Sequence, residues 1–294
     1  MILVVGATGL LGNEICRQAI EKGHQVRALI RKTSDPSKVE QLQSMGCQTV
    51  EGDLKDPASL SAACQGIKNV ISTASSTFSR QEGDAIATVD HRGQLNLVEA
   101  AENAGVQQFI FISFPDDEDY PNALNDAKRS VEQCLQQSNM SYVSLQANYF
   151  MEVWLSPALG FDYANKTARI YGDGTGKHNW VSYKDVAKTA VACVDHPAAA
   201  NKVLSVGGPE SLSPLEVVRI FEELTGSKFA VDNVPKEGLQ AQWEGAPTPL
   251  DKAFASLMLS YAKGWPMDTT EVQQALGVTF TQVQTYAEQV TSGN

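Results

Sequence analysis

Near its start the chain reads "VVGATGLLG", with Gly6, Gly9 and Gly12 spaced three apart between a β-branched run and the segment "GNEICRQAIEKG". Leu11, Ile15 and Ala19 fall on one stripe at helical spacing, and Gly23 stands where a helix would end, so the glycines sit at a strand-to-helix turn. No other stretch constrains the fold as much. Gly6 permits the tight turn, Gly9 lets backbone approach a ligand, and Gly12 lets the helix pack close to the strand. The free N–H groups of the first helical turn then face an anion, the arrangement that holds the pyrophosphate of a dinucleotide. Thr8, Leu10 and Leu11 complete the predicted binding loop with the three glycines.

The same alternation continues. "QVRALI", "CQTVEG", "NVISTA", "QQFIFISF" and "SYVSLQAN" read as strands, and "ATVDHRGQLNLVEAAENAG" and "LNDAKRSVEQCLQQ" read as helices. Near-continuous apolar strands separated by helices predict a parallel sheet covered on both faces, a doubly wound α/β fold. Residues 1–150 are expected to form the nucleotide-binding domain, with 178–207 returning to it as the helix "SYKDVAKTAVACVDH" and the strand "NKVLSVGG". Residues 151–294 are expected to form a smaller C-terminal α/β lobe for a substrate or partner, with a cleft between the two. Within that lobe Ser213 and Glu216 form a capping box around Pro214, and the helix should close at Gly226. "KEGLQAQWEGAPTPL" is expected to be the mobile stretch.

Charge and cysteine usage exclude several classes. The chain holds 34 acidic against 23 basic residues, a net charge of -11, which disfavours attraction to nucleic acid or anionic lipid. Five cysteines show no CxxC spacing, so neither a metal site nor a disulfide framework is expected. A reducing compartment fits, with the cytoplasm as the default. The sequence opens directly on "MILVVGATG" without the pattern of a leader, and no apolar run approaches the roughly 18 residues of a membrane span.

The second strand ends in "ALIRKTSDPSK". An acidic residue there would bind the ribose 2'-hydroxyl of NAD, whereas Arg31 and Lys32 suit the 2'-phosphate of NADP(H). They could equally be solvated charges. Asp53 and Leu54 in "EGDLKD" are candidates for the adenine, and Thr73 and Ala74 in "ISTASS" for the middle of the cofactor, although all four could be strand-end caps. Taken together, "GATGLLG", "VRALIRK", "GDLKD", "FIFIS", Lys128 and "NYFME" resemble the NmrA-like group of atypical short-chain dehydrogenases with an NADP-binding Rossmann domain. That resemblance covers most of the first 230 residues. It implies NADP(H) as cofactor, and one of several functions: a reductase of quinones or phenolic ethers, a regulator that senses NADPH, or an assembly factor.

The resemblance also places Ser113 and Lys128 where relatives keep a catalytic serine and lysine. Leu124 stands in the tyrosine's place, so no phenol there can serve as acid. Lys128 is expected to act as acid or to hold the nicotinamide ribose if burial lowers its pKa. Tyr149 is a candidate replacement acid, as are Tyr120 and His178. Tyr149, Phe150, Trp154 and Trp180 suit either a flat apolar or aromatic substrate or an interlobe core. The expectation is an NADP(H)-dependent reductase of quinone-like or conjugated carbonyl substrates. Its alternative is an NADPH-sensing regulatory or assembly protein with a protein partner; a homodimer is compatible with either. An epimerase or dehydratase of nucleotide sugars is weaker, because such relatives keep the tyrosine.

Overall fold

The structure, a computed structural model, describes residues 1–79 and 81–292. The chain divides into two compact units. The first takes Met1–Phe114, Ala123–Gln146 and Val186–Leu204; the second takes Pro115–Asn122, Ala147–Asp185 and Ser205–Asn294.

The first unit is the predicted doubly wound α/β layer. In chain order it begins β1 (Ile2–Val5), α1 (Leu10–Glu21), β2 (Val26–Ile30), α2 (Pro36–Ser44), β3 (Gln48–Glu51), α3 (Pro57–Ala63) and β4 (Asn69–Ser72). A π-helix (Ile86–Gly93) then runs into α4 (Gln94–Asn103), followed by β5 (Gln108–Ser113), α5 (Ala123–Gln137) and β6 (Ser141–Ala147). After the second unit's α6 (Met151–Trp154), β7 (Phe161–Asp162) and β8 (Thr167–Tyr171), the chain returns through α7 (Tyr183–Ala192) to β9 (Lys202–Val206). The seven strands lie in the order β3-β2-β1-β4-β5-β6-β9. Every residue of β1, β4 and β5 is buried, as strands covered by helices on both faces require, while β3 at the edge exposes its end residues.

Topology sets the site. The chain steps from β1 out to β3 and then back to β4 on the other side of β1, with Val5 paired to both Leu29 and Ser72. The connections leaving the ends of β1 and β4 therefore diverge and open a crevice, where ligands bind in folds of this kind. Leu3, Val5, Val70, Leu97, Phe109, Phe111 and Val131 belong to one apolar cluster under the sheet. Each such burial contributes roughly 1.5 to 3 kcal/mol. The helix expected over 87–105 starts instead as the wider π-turn. Gly93 closes that turn, where a Cβ would come within 2.8 Å of both the Leu54 side chain and the Thr88 carbonyl.

The second unit holds a three-stranded sheet, β8 between β7 and β10 (Ala230–Val234), with β7 antiparallel and β10 parallel to it. Its helices are α6, α8 (Pro214–Thr225), α9 (Lys236–Glu244), α10 (Pro249–Lys263), α11 (Thr270–Leu276) and α12 (Val283–Thr291). The capping box is formed as read: Ser213 accepts from Glu216 N, Glu216 accepts from Ser213 N, and Gly226 ends α8 with φ of 64°. The stretch expected to be mobile is helical, forming α9 and the start of α10. Two anchors account for this: Leu239 is buried against Tyr120 and Leu259, and Trp243 packs edge-on to Tyr120 beneath the Lys252 ammonium. Among the described residues no helix is long and apolar enough to cross a membrane.

Candidate cofactor and reaction site

The glycine loop has the geometry its sequence demands. Gly6 sits at φ +86°, and a Cβ there would meet Thr73 Oγ1 at 2.5 Å and Ala74 N at 2.9 Å. A Cβ on Gly12 would meet the Gly6 carbonyl at 2.2 Å. Two backbone segments thus approach each other where side chains cannot fit. The Gly9 N–H donates to the Gly6 carbonyl at 3.0 Å, and Gly9, as the N-cap of α1, has no side chain to satisfy the first-turn N–H groups. Gly9 and Leu10 are exposed, Thr8 is half-buried, and Leu11 turns into the core. An open helix N-terminus beside a collapsed glycine turn fits a pyrophosphate.

At the end of β2, Arg31 is tied rather than free. Its Nη1 donates to Asp84 Oδ2 at 2.6 Å, and its backbone N–H donates to Ser34 Oγ. Lys55 and Ser79 also donate to the Asp84 carboxylate. Burial alone would raise the pKa of Asp84, but the hydrogen bonds from Lys55, Ser79 and Arg31 outweigh it and bring the carboxyl down to about 2. The Asp84 side chain is 1% exposed, Arg31 34% and Lys55 29%. The carboxylate therefore lies beneath two cations that still show a face to solvent, a base on which a phosphate could rest. Lys32 points into solvent, 4.0 Å from Glu51.

The remaining cofactor candidates have partly structural duties. Asp53 Oδ1 caps its own turn by accepting from Lys55 N. Leu54 lies in the apolar cluster, and its carbonyl accepts from Asn96. Thr73 Oγ1 lies 3.3 Å from the Val5 carbonyl, and the Ala74 carbonyl accepts from Gln94. Thr73 and Ala74 are thus the far wall of the Gly6 turn.

Lys128 is buried on α5. Its Nζ donates to the Ile112 carbonyl at 2.9 Å and lies 4.6 Å from the centre of the Phe111 ring. Among the described residues it has no other hydrogen-bond partner, so two of its N–H bonds stay unspent. Burial pulls its pKa below 10.5, opposed by the negative charges of Asp90 and Glu132. Ser113 is not its partner. The Ser113 hydroxyl accepts from Arg129, which also bonds the Phe114 carbonyl and pairs with Glu132, and Glu132 in turn accepts from Ser144. That network leaves Ser113 holding the strand end. Leu124, in the tyrosine's place, is buried.

The aromatic candidates belong to the second unit and form its core. Tyr149 packs edge-on to Trp154, His178 and Tyr261, and its hydroxyl donates to the Leu257 carbonyl at 3.3 Å. Burial pushes its phenol well above 10.0, so it gives up a proton reluctantly. Trp180 is fully buried and donates to the Leu212 carbonyl. Burial brings His178 down to about 4, which makes it neutral near pH 7 and unsuited to be the missing acid. Sequence reasoning passed over Lys55, Asp84 and Asp90. Lys55 stood inside the quoted "GDLKD", but Asp84 and Asp90 carry no local signal: the two cations on Asp84 lie 29 and 53 positions away, and Asp90 accepts from Ser76 in the loop before its helix.

A family model described as the NmrA-like family matches residues 1–287. The photosystem II assembly factor Ycf39 of Synechocystis sp. is 31% identical over 286 residues, covering 94% of this chain and 85% of its own. The isoflavone reductase homolog IRL of Zea mays is 31% identical over 294 residues, covering 94% and 91%. Among solved structures, the NADPH-dependent quinone oxidoreductase QOR2 of Escherichia coli, complexed with NADPH, superposes with a TM-score of 0.80. That match has 21% identity and covers 99% of this chain and 100% of the other, a likeness of fold.

Proposed function

The chain belongs to the NmrA-like family, and on that premise we propose that it binds NADP(H) and reduces a quinone-like or other conjugated carbonyl substrate. The glycine turn would hold the pyrophosphate, and Arg31 with Lys55 the 2'-phosphate. Bound NADPH supplies a hydride. Two-electron reduction of a conjugated carbonyl takes that hydride at carbon and one proton at oxygen.

The observation that carries the reading is Lys128. A buried ammonium with two unspent N–H bonds is poised to hold a ribose hydroxyl, polarise a carbonyl oxygen and deliver the proton, which solvent then replaces. Leu124 supports the same role by leaving an apolar wall where a phenol would compete. An isoflavone reductase homolog at 31% identity agrees with reductase chemistry. The substrate in this reading is small, flat and apolar or aromatic.

The similarity to an assembly factor across 94% of the chain favours a second reading, in which NADPH binding without turnover governs a protein partner. The two separate in one experiment. NADPH affinity is measured by calorimetry, and oxidation is followed by absorbance against a panel of quinones and enals. Oxidation dependent on one acceptor class supports the reductase. Tight binding with no oxidation across the panel refutes it in favour of the partner-directed protein.

A further inference from the structure

The π-helix carries a carboxylate that none of the roles above uses. Asp90 is 1% exposed. Its Oδ2 accepts from both the backbone N–H and the hydroxyl of Ser76, while Oδ1 is buried with no hydrogen-bond partner among the described residues. An unsatisfied buried carboxylate oxygen is costly, and a fold retains one where something compensates. π-Turns also concentrate at functional sites, because the inserted residue re-aims a side chain.

A complementary group stands on α5, the helix packed against this π-helix. Lys128 is a buried cation with spare donors and one carbonyl partner; Asp90 is a buried anion with a spare acceptor. Among the described residues the two form no direct ion pair. The other charges that bear on Lys128 are Glu132 and Arg129, both on α5. These two are paired with each other at 3.2 Å, and Glu132 also accepts from Ser144, so their fields oppose each other at the ammonium. Asp90 is the one anion in the group whose second oxygen is uncommitted.

We infer that Asp90 is a positioning residue that keeps the Lys128 ammonium charged and aimed, with Oδ1 free to accept from a hydroxyl group lying between them. The ligand chemistry this implies is a hydroxyl that donates to Asp90 and accepts from Lys128, as a sugar hydroxyl does. The Ser76 clamp fixes the carboxylate so that its free oxygen keeps one direction. The inference rests on the proposed role of Lys128, but its electrostatic half can be read in the protein without cofactor.

The test is nuclear magnetic resonance of side-chain-labelled lysine in the free protein, titrated in the parent, in Asp90→Asn and in Glu132→Gln. The Lys128 midpoint should fall in Asp90→Asn and fall less in Glu132→Gln. A folded Asp90→Asn protein with the parent's midpoint overturns the inference, whether or not the parent binds NADPH. A parent that binds no NADPH while the midpoint still falls contradicts the proposed function alone. If Asp90→Asn does not fold, thermal unfolding decides: adding Lys128→Met, which removes the stranded cation, should restore folding. A double variant no more stable than Asp90→Asn would show that Asp90 serves only the Ser76 turn. With cofactor, Asp90→Asn should lower turnover several-fold and shift its pH profile while NADPH affinity stays within a few-fold.

Discussion

Gly12→Ala is the sharpest probe of the glycine turn, because two effects of opposite sign compete there. Gly12 lies inside α1, where alanine is ordinarily favoured over glycine by up to about 1 kcal/mol. Its Cβ would stand 2.2 Å from the Gly6 carbonyl oxygen, 2.7 Å from the Gly6 carbonyl carbon and 3.0 Å from Ala7 Cα. Comfortable carbon contacts start at roughly 3.5 Å, so backbone must yield by about 1 Å. All three atoms are main chain, and Gly6 is itself wedged against Thr73 and Ala74. Overpacking of this kind costs about 1 to 3 kcal/mol, which exceeds the helix gain. If the displaced loop loses the same amount toward a pyrophosphate, NADPH affinity falls by roughly tenfold to a hundredfold. Calorimetry with NADPH and thermal unfolding give the two readings. Gly238→Ala in α9 is the control: a Cβ there meets nothing within 4 Å, so it should gain slightly in stability and leave binding unchanged. A Gly12→Ala protein with the parent's stability and NADPH affinity would refute the close-approach reasoning.

Two further outcomes are expected. Arg31, with the face it keeps beyond Asp84, should give NADP(H) a preference of about ten- to a hundredfold over NAD(H), and Arg31→Asp should abolish it; equal affinities of the parent for both cofactors would sink the assignment. Asp84 has a carboxyl at about 2 against an ordinary 3.8, so it contributes about 2 kcal/mol that is fully present above 3.8 and is lost as pH falls toward 2. Asp84→Asn should therefore be less stable near neutrality and have a flatter acid limb in denaturant unfolding, and an unchanged acid limb would contradict the hub.

How much of this was legible follows from where the causes lie. β1, β4 and β5 could be read because strands buried on both faces carry unbroken apolar runs. The glycine turn could be read because Gly6 at +86° and Gly12 against backbone leave no alternative residue. The short helices α2 and α3, which the sequence analysis did not name, each start on an aspartate cap before a proline, Asp35-Pro36 and Asp56-Pro57. The helix α9 was obscured because it buries only Leu239 and draws its support from Tyr120, far away in sequence. The charge hub was hidden for the same reason. Arg31 meets Asp84 across 53 positions and Lys55 meets it across 29, distances over which no local pattern carries information. The bond that Arg129, an unremarked neighbour of Lys128, donates to the Ser113 hydroxyl was hidden in the same way, since it spans 16 positions.

The central claim is that Lys128 serves the reaction and not merely the fold or the cofactor's grip. Lys128→Met tests it most directly, since methionine keeps an unbranched apolar stem against Phe111 and removes only the ammonium. The measurement is steady-state NADPH oxidation with the best acceptor of the panel, beside NADPH affinity by calorimetry on the same preparations. Turnover should fall by about a hundredfold or more while affinity stays within a few-fold. Unchanged turnover in a folded Lys128→Met protein would contradict the account.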